Sequence, residues 1–113
     1  MYLKNMPSRG DIVLIPFPFS DLTGQKIRPA VILSKDNRND VILVFITSKN
    51  KITKPTVAVP IEPTKTNGLK VSSMIICDKI ATLDKKIILG SIGVVDTVTM
   101  KKVSISLKQI LDL

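Results

Sequence analysis

Lys26-Ile27-Arg28-Pro29-Ala30-Val31-Ile32-Leu33-Ser34 passes from charge into an unbroken run of β-favouring apolar residues. Pro29 marks the boundary. Its ring crowds the backbone before it and keeps Arg28 out of the α region. Its missing N–H suits the first position of a strand better than the middle of a ladder. The stretch therefore predicts a buried strand over Pro29 to Ser34, with a guanidinium held on stiff backbone at its mouth. Taken alone, Arg28 is an ordinary strand-end cation, so its meaning depends on what gathers at the same end.

Outward from this stretch, the apolar runs keep strand length and are punctuated by turn formers. Ile12-Val13-Leu14-Ile15 reads as a buried strand that runs into Pro16 and Pro18. Neither proline donates to a ladder, so the strand ends there or lies at an edge. Ser20 to Lys26 and Lys35 to Asp40 are polar connectors rich in turn formers. Val41 to Ile46 is apolar at every position, which predicts a central strand covered on both faces. Thr56 to Ile61, limited by Pro60, is a fourth strand. Val71 to Cys77 is a fifth, with Asp78 to Leu83 continuing or bending it. Asn67-Gly68 between them is a turn signal. Lys85 to Gly93 is expected to hold a last short strand.

The period then changes. Asp96 is a candidate helix N-cap, and Val95 and Met100 are spaced as a hydrophobic staple. Val103, Leu107, Ile110 and Leu111 recur at helical spacing and form an apolar stripe. The expected architecture is a small, strongly curled, mostly antiparallel sheet covered by one C-terminal helix.

With 113 residues and 44% hydrophobic content, the chain can build one core, so a single domain is expected over 1–113. Lys and Arg number 17 against 9 Asp and Glu, a net charge of +8, which favours a polyanionic partner: RNA, DNA or an acidic protein segment. The absence of His removes the commonest acid–base group and metal ligand. A single Cys, Cys77, makes neither an internal disulfide nor a zinc cluster. No metal or other cofactor is expected. Met1 to Arg9 lacks the apolar region of a signal peptide, and no apolar run reaches the length of a membrane span. A cytoplasmic protein is expected.

Three polar groups sit at the ends of apolar strands: Arg28, the pair Thr47-Ser48, and Asp78 after Ile75-Ile76-Cys77. Strand ends of a small barrel share a rim, so these groups are expected to meet. An Arg fork matches phosphate oxygens. Hydroxyls stabilise added negative charge, and a carboxylate can take a proton from a ribose 2′-hydroxyl. With no second carboxylate or His nearby in sequence, metal-dependent phosphodiester chemistry is disfavoured.

Arg9-Gly10-Asp11-Ile12-Val13, Lys26 to Ser34, Phe45-Ile46-Thr47-Ser48, Cys77-Asp78 and Thr82-Leu83-Asp84 follow one another in the order found in the MazF/PemK toxins of type II toxin–antitoxin systems. The chain resembles that family over nearly its whole length. The resemblance implies an SH3-like barrel, a homodimer, and a metal-independent endoribonuclease that cuts single-stranded mRNA. It also implies an antitoxin whose acidic tail occupies the RNA groove. By the same resemblance Arg28, Thr47 and Asp78 are the candidate catalytic residues. Lys26, Ser48, Lys49, Lys51 and Lys54 are candidates for binding RNA, the last three forming a basic loop that would steer it. Two positions depart from the pattern. Ile76 stands where the PemK-type branch carries an Arg before Cys-Asp, and Ala81 stands where many members carry another. These departures favour a second reading, a non-catalytic barrel that binds nucleic acid or an antitoxin.

Overall fold

The computed structural model describes residues 7–17, 26–35, 39–48 and 57–113. Six strands form one sheet: β1 (Asp11–Phe17), β2 (Lys26–Lys35), β3 (Asp40–Ser48), β4 (Ala58–Ile61), β5 (Ser73–Asp84) and β6 (Gly90–Val94). Their order across the sheet is β4-β5-β3-β2-β1-β6, and each neighbouring pair is antiparallel. A 3-10 turn, Lys85–Ile87, leads from β5 toward β6, and one helix, α1 (Thr97–Leu111), closes the chain. The result is a curled antiparallel half-barrel with one C-terminal helix, the mostly-β fold expected from the sequence.

The central strands are apolar at consecutive positions because both faces of the sheet are covered. On one face Ile12, Val31, Val44, Ile46, Ile75 and Cys77 pack with Val103 of α1. On the other, Val13, Ile15, Ala30, Ile32 and Leu43 pack with Ile88. Adjacent residues of β1, such as Ile12 and Val13, thus enter opposite cores, as the two-residue period of a strand requires. β3 lies between β2 and β5, in the interior position that its unbroken run predicts.

The prolines fall where a ladder bond is not needed. β6 accompanies β1 only from Asp11 to Leu14, so Pro16 lies where β1 has β2 alone as neighbour. Pro60 is on β4, an edge strand. Pro29 is a correction. β2 begins at Lys26 rather than at Pro29, because Lys26, Ile27 and Arg28 already pair with Phe17, Pro16 and Ile15 of β1. The register with β3 starts only at Ala30, opposite Phe45, so Pro29 interrupts no bond on that side.

β5 begins at Ser73 rather than Val71 and, as expected of Asp78 to Leu83, runs on past Cys77. Its first half pairs with both β4 and β3, and its second half continues along β3 to Asp84 opposite Asp40. Phe45 faces Ile76 while the adjacent Val44 faces Ile80, so residues 77–79 form a bulge. A bulge bends its strand and increases the local twist, which helps the sheet curl.

Asp96 caps α1. Its carboxylate accepts from the Thr99 N–H at 3.0 Å and from the Thr99 hydroxyl at 2.6 Å. Val95 is buried and Met100 packs against the same core, consistent with the staple. Val103, Leu107 and Ile110 face that core, but Leu111 is 50% exposed, a further quarter-turn round the helix. Arg9 ties the barrel to the helix, donating to the Leu33 carbonyl at 3.1 Å and to the Ser104 hydroxyl at 2.5 Å. Among the described residues, no helix is long and apolar enough to cross a membrane.

Candidate functional site

Antiparallel pairing brings the beginning of β2 beside the end of β3. Continuing the register that pairs Ala30 with Phe45 sets Arg28 near Thr47. Alternation places Arg28 on the face of Ala30 and Ile32, and Thr47 on the face of Leu43 and Phe45, the same side of the sheet. Ser48 belongs to the other face, with Ile46, and pairs across to Ser73 of β5. At these strand ends the two faces meet around an open pocket of about 320 Å³. Arg28, Pro29, Thr47 and Ser48 line one part of it, Leu14, Ile46 and Ile92 another, and Gly68, Leu69, Lys70 and Val71 a third. Arg28, Thr47 and Ser48 are half-buried, and the Nε of Arg28 is shielded from solvent.

The loop that supplies the third part is built around Asn67, a buried polar residue. Its Oδ1 accepts from the N–H groups of Thr64 and Leu69, each at 3.0 Å, and its Nδ2 donates to the Glu62 carbonyl at 2.8 Å. Gly68 follows at φ 71°, and a Cβ there would lie 2.2 Å from the Ile92 carbonyl oxygen. Only glycine suits that combination of dihedral and contact. The Val94 N–H donates to the Thr66 carbonyl at 3.0 Å, which fastens the loop to β6. Asn67-Gly68 is thus the clamp of an eleven-residue wall, Glu62 to Ser72, between β4 and β5. The sequence marked the turn and not its attachment, because β6 is distant in the chain.

Asp78 does not join this group. The rim argument needs it at a strand end, and β5 runs on through it to Asp84. It is exposed within the bulge, four residues beyond Met74, the partner of Thr47. That places it two strands, roughly 10 Å, across from Arg28 and up to about 13 Å along β5 from the level of Thr47. Lys26 is exposed at the start of β2, opposite Phe17. Lys49, Lys51 and Lys54 lie outside the described residues. Lys70, exposed on the clamped loop, is a pocket residue that sequence reasoning missed. Nothing in its local sequence distinguishes it from the other surface lysines.

The two positions expected from the resemblance to depart from its pattern are filled by packing. Ile76 is buried with Ala58 and Met74. Ala81 packs against the core of Val41 and Leu43. Cys77 is fully buried, and burial pushes its thiol pKa up, opposed by a hydrogen bond with Ser106 and reinforced by the charge of Asp78. A raised pKa suppresses the thiolate, so Cys77 is unsuited to nucleophilic work. Among the described residues, no three Cys, Asp or Glu side chains cluster as a metal site.

The fold has close relatives of known structure. A mycobacterial endoribonuclease solved with its cognate antitoxin superposes with a TM-score of 0.76 at 26% identity, over 96% of this chain and 97% of that one. Mycobacterium tuberculosis toxin MazF-mt6 gives 0.73 at 20% identity, over 91% and 97%. MazF in a MazE–MazF crystal structure from Deinococcus radiodurans gives 0.76 at 20% identity, over 96% and 98%. Comparison with curated proteins gives no match. The model of the PemK-like, MazF-like toxins of type II toxin–antitoxin systems matches residues 8–111, from the turn before β1 to the last residue of α1, and the chain belongs to that family.

Proposed function

We propose that this chain is a toxin endoribonuclease that cleaves single-stranded RNA and is neutralised by a cognate antitoxin. The observation that carries the reading is the convergence of Arg28, Thr47 and Ser48 on one pocket in a chain of this family. In the reaction, a ribose 2′-hydroxyl gives up its proton to solvent water as its oxygen attacks the adjacent phosphorus, and the bond from phosphorus to the 5′-oxygen breaks. The products are a 2′,3′-cyclic phosphate and a 5′-hydroxyl, the latter formed as the leaving oxygen takes a proton. Negative charge grows on the non-bridging oxygens. Arg28 supplies a permanently charged fork for them, and the hydroxyls of Thr47 and Ser48 supply neutral donors. The separation of Asp78 from Arg28 weighs against its sharing the same phosphate as proton acceptor.

The antitoxin half of the reading is supported by charge and by shape. The chain carries +8, and the pocket combines Arg28 and Lys70 with exposed apolar side chains, Ile27 at 61% and Val71 at 57%. An acidic segment with apolar anchors fits both features, and two of the superposed relatives were solved with an antitoxin. A homodimer acting in the cytoplasm completes the proposal.

Incubation of the purified protein with a long single-stranded RNA in EDTA tests it. Discrete cleavage with cyclic phosphate ends is expected. Cleavage that appears only on adding a divalent ion would overturn the mechanism. Binding of the RNA without cleavage would favour the non-catalytic reading that the apolar residues Ile76 and Ala81 suggest.

A further inference from the structure

We propose that Lys70 is a second phosphate-binding cation of the candidate RNA site, held in place by the Asn67-Gly68 clamp; this rests on the ribonuclease reading above. An RNA backbone brings a charge at every phosphate, and the attacked phosphate gains more in the transition state. Ile76 is buried with Ala58 and Met74, and Ala81 packs against the core, so neither position supplies a cation. The pocket that Arg28 lines nevertheless has a second cation in its lining, Lys70, from a loop remote in sequence.

A lysine on a free loop would be a poor positioned donor, because ordering its chain costs entropy. Here the backbone on either side of Lys70 is fixed. Before it, the Leu69 N–H donates to Asn67 Oδ1 at 3.0 Å, and Gly68 is pressed against Ile92. After it, the Ser73 hydroxyl donates to the Val71 carbonyl at 2.8 Å as the chain enters β5. Lys70 is exposed while its loop is anchored, the arrangement suited to a point charge that meets a phosphate from solvent.

The test is a titration of an uncleavable single-stranded oligonucleotide, with 2′-O-methyl riboses, across a salt series. Wild type, Lys70→Ala, Lys70→Arg and Lys101→Ala are compared. Lys101→Ala removes the same charge from the exposed side of α1. At fixed low salt, Lys70→Ala is expected to weaken binding about tenfold, the scale of one charge-assisted hydrogen bond. Its slope of log K against log salt should be shallower by about 0.7, one phosphate contact on a single strand. Lys70→Arg should bind close to wild type, and so should Lys101→Ala. Asn67→Ala should weaken binding by itself but add little in the Lys70→Ala background. Equal effects of Lys70→Ala and Lys101→Ala would reduce Lys70 to general surface charge and overturn the proposal. Wild-type binding that Lys70→Ala leaves intact would overturn it too, with the ribonuclease reading standing. A wild type that neither binds the oligonucleotide nor cuts RNA would sink that reading, and this inference with it.

Discussion

Arg28 sits where two constraints meet. Pro29 stiffens its backbone from one side, and pairing of its own position with Ile15 of β1 holds it from the other. A donor preorganised in this way reorganises little when charge develops, so its removal is costly. Arg28→Ala is expected to slow single-turnover RNA cleavage on the order of a hundred- to a thousandfold with the fold intact. Arg28→Lys should rescue it poorly, since a point charge does not replace the fork. Thr47→Ala should cost less, because Ser48 offers a neighbouring hydroxyl, and Asp78→Asn should stay within about tenfold of wild type, short of the roughly hundredfold at which general-base effects begin. A rate for Arg28→Ala within a few-fold of wild type would place the chemistry elsewhere. The grouping of Arg28 with Thr47 and Ser48 was legible because each closes or opens an apolar run. Asp78 was misplaced for the same reason: the polar residue after Ile75-Ile76-Cys77 was grouped with the strand ends, although the strand was expected to continue or bend there, and it lies in a bulge within that strand. Cys77 was legible as a core thiol from its apolar neighbours. Its burial and raised pKa predict very slow reaction with a thiol reagent in the native protein and fast reaction once denaturant is added. Native reactivity matching that of a free thiol would contradict the packing.

At the scale of elements, two devices fix the ends of the barrel: the capped helix and the clamped loop. Hydrogen bonds from the hydroxyl and N–H of Thr99 hold the Asp96 carboxyl below the usual carboxylate range. A lowered folded pKa means that the stabilisation is present above the unfolded value, near 4, and is lost as pH falls through the folded value. Asp96→Ala should cost about 1 kcal/mol at neutral pH. The stability advantage of the wild type over Asp96→Asn should shrink on acidification below about pH 4, in denaturant titrations across pH. A gap that widened on acidification would contradict the assigned role. Gly68→Ala tests the loop, since a side chain there meets both a left-handed dihedral and the Ile92 carbonyl. It should lower the melting temperature clearly, whereas Gly90→Ala, where a Cβ meets nothing within 4 Å, should not. The helix could be read from its cap and period, which are local signals. The loop's part in the pocket could not, because its rigidity comes from contact with a strand more than twenty residues later.

On the scale of the whole molecule, the half-barrel leaves β4 and β6 as edges and leaves large apolar side chains in water. Val98 and Ile105 of α1 are 63% and 59% exposed, and Leu113 beyond it is 87% exposed. Such exposure in a small domain favours burial against another surface, and a second copy is always present at the concentration of the first. A stable dimer needs about 800 Å² from each partner, roughly a tenth of the 7325 Å² that the chain exposes. Phe17 and Phe19, apolar residues near the end of β1 in sequence, lie outside the side chains described. The net charge of +8 opposes pairing of two identical chains, so the contact must be carried by apolar area. Light scattering at micromolar concentration should therefore give about twice the 12.4 kDa of the single chain. Added salt separates the forces at work. It screens the repulsion between two basic copies and leaves apolar burial in place, so the dimer should persist or tighten. Binding of RNA should weaken over the same series as counterions compete for the phosphates. A monomeric mass, or a dimer that dissolves as salt rises, would show that apolar burial does not hold the copies together.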